Sequence, residues 1–215
     1  MADDTLIAVK VSTVAASDRK IHRRALSHAK FAALIAATDK PGEAFGMSGT
    51  DRAMVYRVAG NTGFRQGELR TLMPESFDLN DTPATITVKA AYSKRRRDNR
   101  QAIPAALAEK LKPWLHQKAA GKPVFALPPR FDVADMFRAD LQAAGVSTAD
   151  TDFHCLRVSY VSWLVQSGAS VKTCQELARH STPVLTISLY SRMTVDCPGR
   201  DSNPHDLYRS QDFKS

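Results

Sequence analysis

The stretch Asp152–Leu164, DFHCLRVSYVSWL, decides how the rest of the chain is read. Taken as a helix at about 100° per residue, Phe153, Leu156, Val158, Tyr160, Val161 and Leu164, with Val165 beyond them, cover most of the circumference. A helix that is apolar nearly all round belongs inside a molecule. Yet His154 and Arg157, three apart and therefore on one face, fall within the apolar arc. An imidazole and a guanidinium placed together in such a setting need a partner.

Length and charge narrow what that partner is. At 215 residues the chain is long enough for one ordinary domain with appendages. Its 30 Lys and Arg against 22 Asp and Glu give a formal net charge of +8 and a pI near 9.6, which points to an acidic partner such as nucleic acid or an anionic membrane surface. No apolar run approaches the roughly 20 residues of a membrane span. The N-terminus, MADDTLIAVK, lacks the basic-then-apolar pattern of a signal peptide, so a soluble cytoplasmic protein is expected. Cys155, Cys174 and Cys197 form no CxxC pair, which argues against a disulfide framework or a zinc site.

Residues 1–22 read as a short N-terminal extension and residues 195–215 as a polar tail, leaving one organised body over 23–194. Within it, Ser27 is an N-cap ahead of HAKFAALIAAT, and PGEAFGMSG breaks the chain. DRAMVYRVAG is helical to the turn NTG and continues as FRQGELRTL until Pro74. ATITVKAAY alternates as a strand, and RQAIP returns as its partner across the basic tip SKRRRDN. Leu107, Leu111, Trp114 and Leu115 then mark a helix, and DVADMFRADLQAAG marks another, with Gly145 at its C-terminal end. The opening stretch runs to Gly168, SVKTCQELARH follows, and a short helix starts with Pro183 at its first position and ends near Tyr190. The fold class is therefore α+β, mostly helical, with one small antiparallel sheet.

Four features in fixed order resemble the tyrosine recombinases, the phage integrase family. NTGFRQGELRTL resembles the family's first box, HCLR its His-x-x-Arg box, and LARHSTPVLTISLY its run from a histidine to a nucleophilic tyrosine. YSKRRRDNRQAIP stands where the family has its hairpin lysine. The resemblance implies a catalytic domain in which Arg65 and Arg157 are the arginine pair, Lys94 the hairpin lysine, His154 and His180 the site histidines, and Tyr190 the nucleophile. Glu68 matches the acidic residue that orients its neighbours. Lys94 is preferred to Lys89 because it precedes the loop in a serine-lysine context. Arg95, Arg96, Arg97 and Arg179 are expected to contact DNA, whereas His22, His28, His116 and His205 match no motif.

The implied chemistry accounts for these residue types. A phosphodiester attacked by a phenol gathers negative charge on its nonbridging oxygens, which two guanidiniums can clamp in fork geometry. His154 can accept or return the Tyr190 proton or hold the phosphate, Lys94 can protonate the departing 5′ oxygen, and His180 can donate to a nonbridging oxygen. The 3′-phosphotyrosine conserves the bond energy, so rejoining requires neither ATP nor metal. No GxxxxGK[ST] loop or carboxylate cluster for divalent ions is present in the sequence, and no cofactor is expected. The expected partners are duplex DNA and, from the family, other copies in a tetrameric synapse, with no membrane and no small-molecule substrate. A type IB topoisomerase and a DNA-binding remnant without recombination activity are the alternatives.

Some positions depart from the family pattern. Arg179 precedes His180 where Leu-Gly-His is usual, and Val158 follows Arg157 where histidine is frequent. Residues 1–22 are too few for the family's N-terminal core-binding domain, so the chain is expected to be the catalytic half, binding duplexes weakly and with poor sequence preference.

Overall fold

The computed structural model describes residues 24–92, 98–179 and 187. The expectations that fall on residues 1–22, on Lys94 and Arg95–Arg97, on His180, on the Pro183 helix with Tyr190, and on the 195–215 tail lie outside them. At the start of the described chain the Ser27 hydroxyl accepts from the Lys30 N–H at 3.3 Å, and α1 (His28–Thr38) follows as its sequence pattern predicts. The expected break after it holds a tight hairpin of β1 (Glu43–Ala44) and β2 (Met47–Ser48). Phe45 (φ 56°) and Gly46 (φ 70°) are both left-handed, as a two-residue hairpin turn requires. Ser48 then caps α2 (Gly49–Thr62) by accepting from the Asp51 N–H at 3.1 Å.

The predicted continuous helix through FRQGELRTL is corrected to a single turn, α3 (Gln66–Leu69), followed by a 3-10 turn at Pro74–Ser76. The expectation of one sheet is also corrected. Besides the β1–β2 pair there is a three-stranded antiparallel sheet in which β3 (Phe77–Asp78), β4 (Thr85–Val88) and β5 (Asn99–Ala102) are neighbours in chain order. The β4–β5 register sets Ile86 opposite Gln101 and Val88 opposite Asn99. The predicted hairpin is thus present, but β4 stops at Val88 and its extension is a 3-10 turn at Ala90–Tyr92.

Helices α4 (Ala105–Leu115), α5 (Asp132–Ala143), α6 (Cys155–Gln166) and α7 (Val171–Leu177) complete the described fold. Gly145 and Gly168, with φ of 66° and 85°, follow α5 and α6 where their sequence marks an end. The opening stretch becomes the central helix: α6 packs on α2 and α7, and nine of its twelve residues are buried. That burial explains the apolar circumference. One large core joins α1, α2, α4, α5 and the sheet, while Tyr160, Val161 and Leu164 of α6 pack with Cys174 and Ala178 in a smaller one. The thiols of Cys155 and Cys174 are buried in these cores.

Candidate active site

The site begins where α2 ends. Gly63 has a φ of 61°, and a Cβ built on it would lie 2.7 Å from the Tyr160 ring, so glycine alone meets both demands. The turn places Arg65 at the N-cap of α3 and Glu68 at its third helical position. From there the Glu68 carboxylate reaches back as the acidic member of a capping box does. Its Oε2 accepts the Arg65 backbone N–H at 2.8 Å, and its Oε1 accepts from the Arg65 guanidinium at 3.2 Å. Glu68 is buried whereas the Arg65 side chain is 35% exposed, so the carboxylate anchors one edge of a guanidinium that still reaches outward.

Arg157 arrives from the first turn of α6 and is only 3% exposed. It donates to the Gly63 carbonyl oxygen at 2.5 Å and to the Ala178 carbonyl oxygen. Burial first, then the like charges of Arg65 and Arg179, lower its pKa to about 9. It stays cationic at neutral pH. A desolvated cation beside two others gains more from an anion than a solvated arginine does.

Arg65, Glu68, His154 and Arg157 line one cleft of about 650 Å³. His154, at the N-terminal boundary of α6, is exposed on it, while Arg157 lies deeper. Arg70 and Arg130 also line the cleft, so its arginines outnumber its acids, Glu68 and Asp152. Such a cleft suits a phosphate group, with forked donors at two depths and an imidazole at the edge. Among the described residues no group of three or more His, Cys, Asp or Glu side chains is placed to hold a metal ion.

Four expected residues therefore meet in one place. Lys94, Arg95, Arg96, Arg97, His180 and Tyr190 lie outside the described residues, and Lys89 is exposed and does not line the cleft. The placement of Arg179 departs from the expectation of a DNA contact. Its side chain is 5% exposed and its guanidinium is turned inward to Glu68, Gln101 and backbone carbonyls, so it lies beneath the cleft lining. The sequence reading missed Arg70, which donates to the carbonyl oxygens of Leu127 (2.6 Å) and Pro128 and braces the loop that leads to Arg130. Its signal was its place inside the first box, two residues after Glu68. Arg130 and Gln101 carry no sequence signal of their own.

The architecture is that of tyrosine-recombinase catalytic domains. It is similar to the XerA recombinase (TM-score 0.63, 19% identity, covering 84% of this chain and 67% of that one). It is also similar to the catalytic domain of bacteriophage HP1 integrase (TM-score 0.60, 21% identity, 80% and 89% covered). A third likeness is to the XerH site-specific recombinase bound to palindromic difH substrate in a post-cleavage complex (TM-score 0.64, 19% identity). That match covers 79% of this chain and 49% of XerH, so the chain spans about half of XerH's length. At these identities the likeness is one of fold. No curated protein matches the chain in sequence. The chain belongs to the phage integrase family, which it matches over residues 24–195.

Proposed function

We propose that this protein is a site-specific recombinase that cleaves and rejoins duplex DNA by transesterification through a 3′-phosphotyrosine on Tyr190. The observation that carries the reading is the convergence of Arg65 and Arg157, which are far apart in sequence, on one cationic cleft with His154 at its edge. Family membership supports it. In this reading the two guanidiniums hold the nonbridging oxygens as charge builds on them, and Glu68 orients Arg65. His154 manages the proton of the attacking phenol, Lys94 protonates the leaving 5′ oxygen, and His180 donates to the phosphate. The substrate is duplex DNA, and strand exchange uses further copies of the recombinase.

The test uses nicked duplexes of randomised sequence, which trap a covalent intermediate because the short cleaved strand diffuses away. The wild-type chain is expected to form a denaturation-resistant adduct. Tyr190→Phe is expected to bind DNA equally and form none. An adduct that survives in Tyr190→Phe removes Tyr190 as the nucleophile.

A further inference from the structure

Arg179 combines two features that a surface arginine has no cause to show. Its backbone φ of 54° lies in the left-handed region that favours glycine, yet its side chain is buried over the Phe64 ring, with the guanidinium carbon 4.6 Å from the ring centroid. From there it donates to the Thr62 carbonyl oxygen at 3.3 Å and the Gly63 carbonyl oxygen at 3.0 Å, closing the end of α2. It also donates to Oε1 of Gln101 on β5 at 3.1 Å and to Oε2 of Glu68 on α3 at 3.3 Å. Two of these acceptors also serve the arginine pair. The Gly63 oxygen receives Arg157, and the Glu68 carboxylate receives Arg65. Two guanidiniums, those of Arg65 and Arg179, thus share the Glu68 carboxylate while Arg157 bonds only carbonyl oxygens, and the surplus positive charge is available to a phosphate.

We propose that Arg179 is a positioning residue for strand cleavage. It fixes the Glu68 carboxylate and the Gly63 carbonyl and, through them, aims Arg65 and Arg157 at the scissile phosphate. The role rests on the recombinase reading above. It also links the end of α7 to β5, so that a residue next to His180 in sequence is tied to the strand that follows Lys94 in sequence. A group that orients a group in contact with substrate typically changes activity about 10–100-fold when removed, by analogy with the outer partners of metal ligands.

The experiment compares the full chain with Arg179→Gly, which accepts the left-handed backbone but lacks the guanidinium, and with Arg179→Lys, which keeps the charge but not the planar fork. Single-turnover adduct formation at saturating DNA is measured beside duplex affinity at several salt concentrations. Arg179→Gly is expected to slow adduct formation about 10–100-fold, with affinity and its salt dependence unchanged and no rescue by Arg179→Lys. In a Glu68→Gln background the same substitution is expected to cost less, because the path through the carboxylate is already weakened and only the path through the Gly63 carbonyl remains. Should Arg179→Gly fail to fold, Arg179→Lys is compared in the same two backgrounds. Full speed at saturation with lost affinity and a shallower salt slope would make Arg179 a DNA contact and overturn the proposal. Equal losses in both backgrounds would make it a general brace and overturn it too. An adduct absent from the wild-type chain removes the recombinase reading and this role together, whereas an adduct that forms equally well in the variant removes this role alone.

Discussion

Arg157 is held in place by backbone carbonyls and not by a carboxylate. Its hydrogen bonds to Gly63 and Ala178 fix the fork without neutralising it, so burial and its cationic neighbours leave its charge uncompensated. Arg65 is the complement, more exposed and tied to Glu68. A phosphate that bridges them draws on the planar geometry of both, which an ammonium cannot reproduce. Arg157→Lys and Arg65→Lys are each expected to lower the single-turnover cleavage rate about 10²-fold, the scale of one lost oxyanion donor, with little change in duplex affinity. A rate near wild type in either variant would mean that arginine does not touch the phosphate. At this scale the sequence was legible where a residue pair sits inside a recognisable box, as His154 and Arg157 do. It misled at Arg179, because the acceptors that draw that side chain inward lie 78 to 117 residues away.

Among the elements, α2 is the one on which the site depends, and it is fastened away from the cleft as well as beside it. Arg52 of α2 donates to both carboxylate oxygens of Asp140 on α5, at 3.0 and 3.3 Å, and the Tyr56 hydroxyl donates to the same carboxylate at 2.7 Å. Burial and the Asp140 charge push the Tyr56 phenol pKa well above its ordinary value, so it stays a donor at any physiological pH. Asp140→Asn leaves the Arg52 cation buried without its counter-charge and is expected to lower unfolding free energy by about 3 kcal/mol. Tyr56→Phe removes one hydrogen bond to a charged group and is expected to lower it by about 1.5 kcal/mol. Urea unfolding measures both, and losses near zero would show that the triad does not hold the helices. Most elements were readable from local signals: Ser27 before α1, Gly145 after α5, Gly168 after α6. Two details were not readable in the same way. After the expected NTG turn the chain winds only the single turn of α3, and the β1–β2 turn places Phe45 in a left-handed conformation that its residue type does not advertise.

For the whole molecule, the +8 charge and the arginine-lined cleft predict that duplex binding is dominated by phosphate contacts. Affinity is expected to fall linearly on a double-logarithmic salt plot, and Arg95→Ala, Arg96→Ala and Arg97→Ala are each expected to reduce the slope by about one unit. Fluorescence titration against two unrelated duplexes checks this. Tight binding that ignores salt and strongly prefers one duplex would contradict it. The Gly63 carbonyl has a different kind of consequence. Arg157 and Arg179, 94 and 116 residues further along the chain, both end on that one oxygen. Every amino acid that can stand at position 63 brings a peptide carbonyl, so no substitution deletes this acceptor; it can only be moved, by a side chain that collides with Tyr160. The fixed point of the site is therefore not itself encoded by any side chain, and genetic drift reaches it only through the shape of its surroundings. Chemical synthesis reaches it directly: an ester in place of the amide between residues 63 and 64 weakens the carbonyl as an acceptor while leaving every side chain as it was.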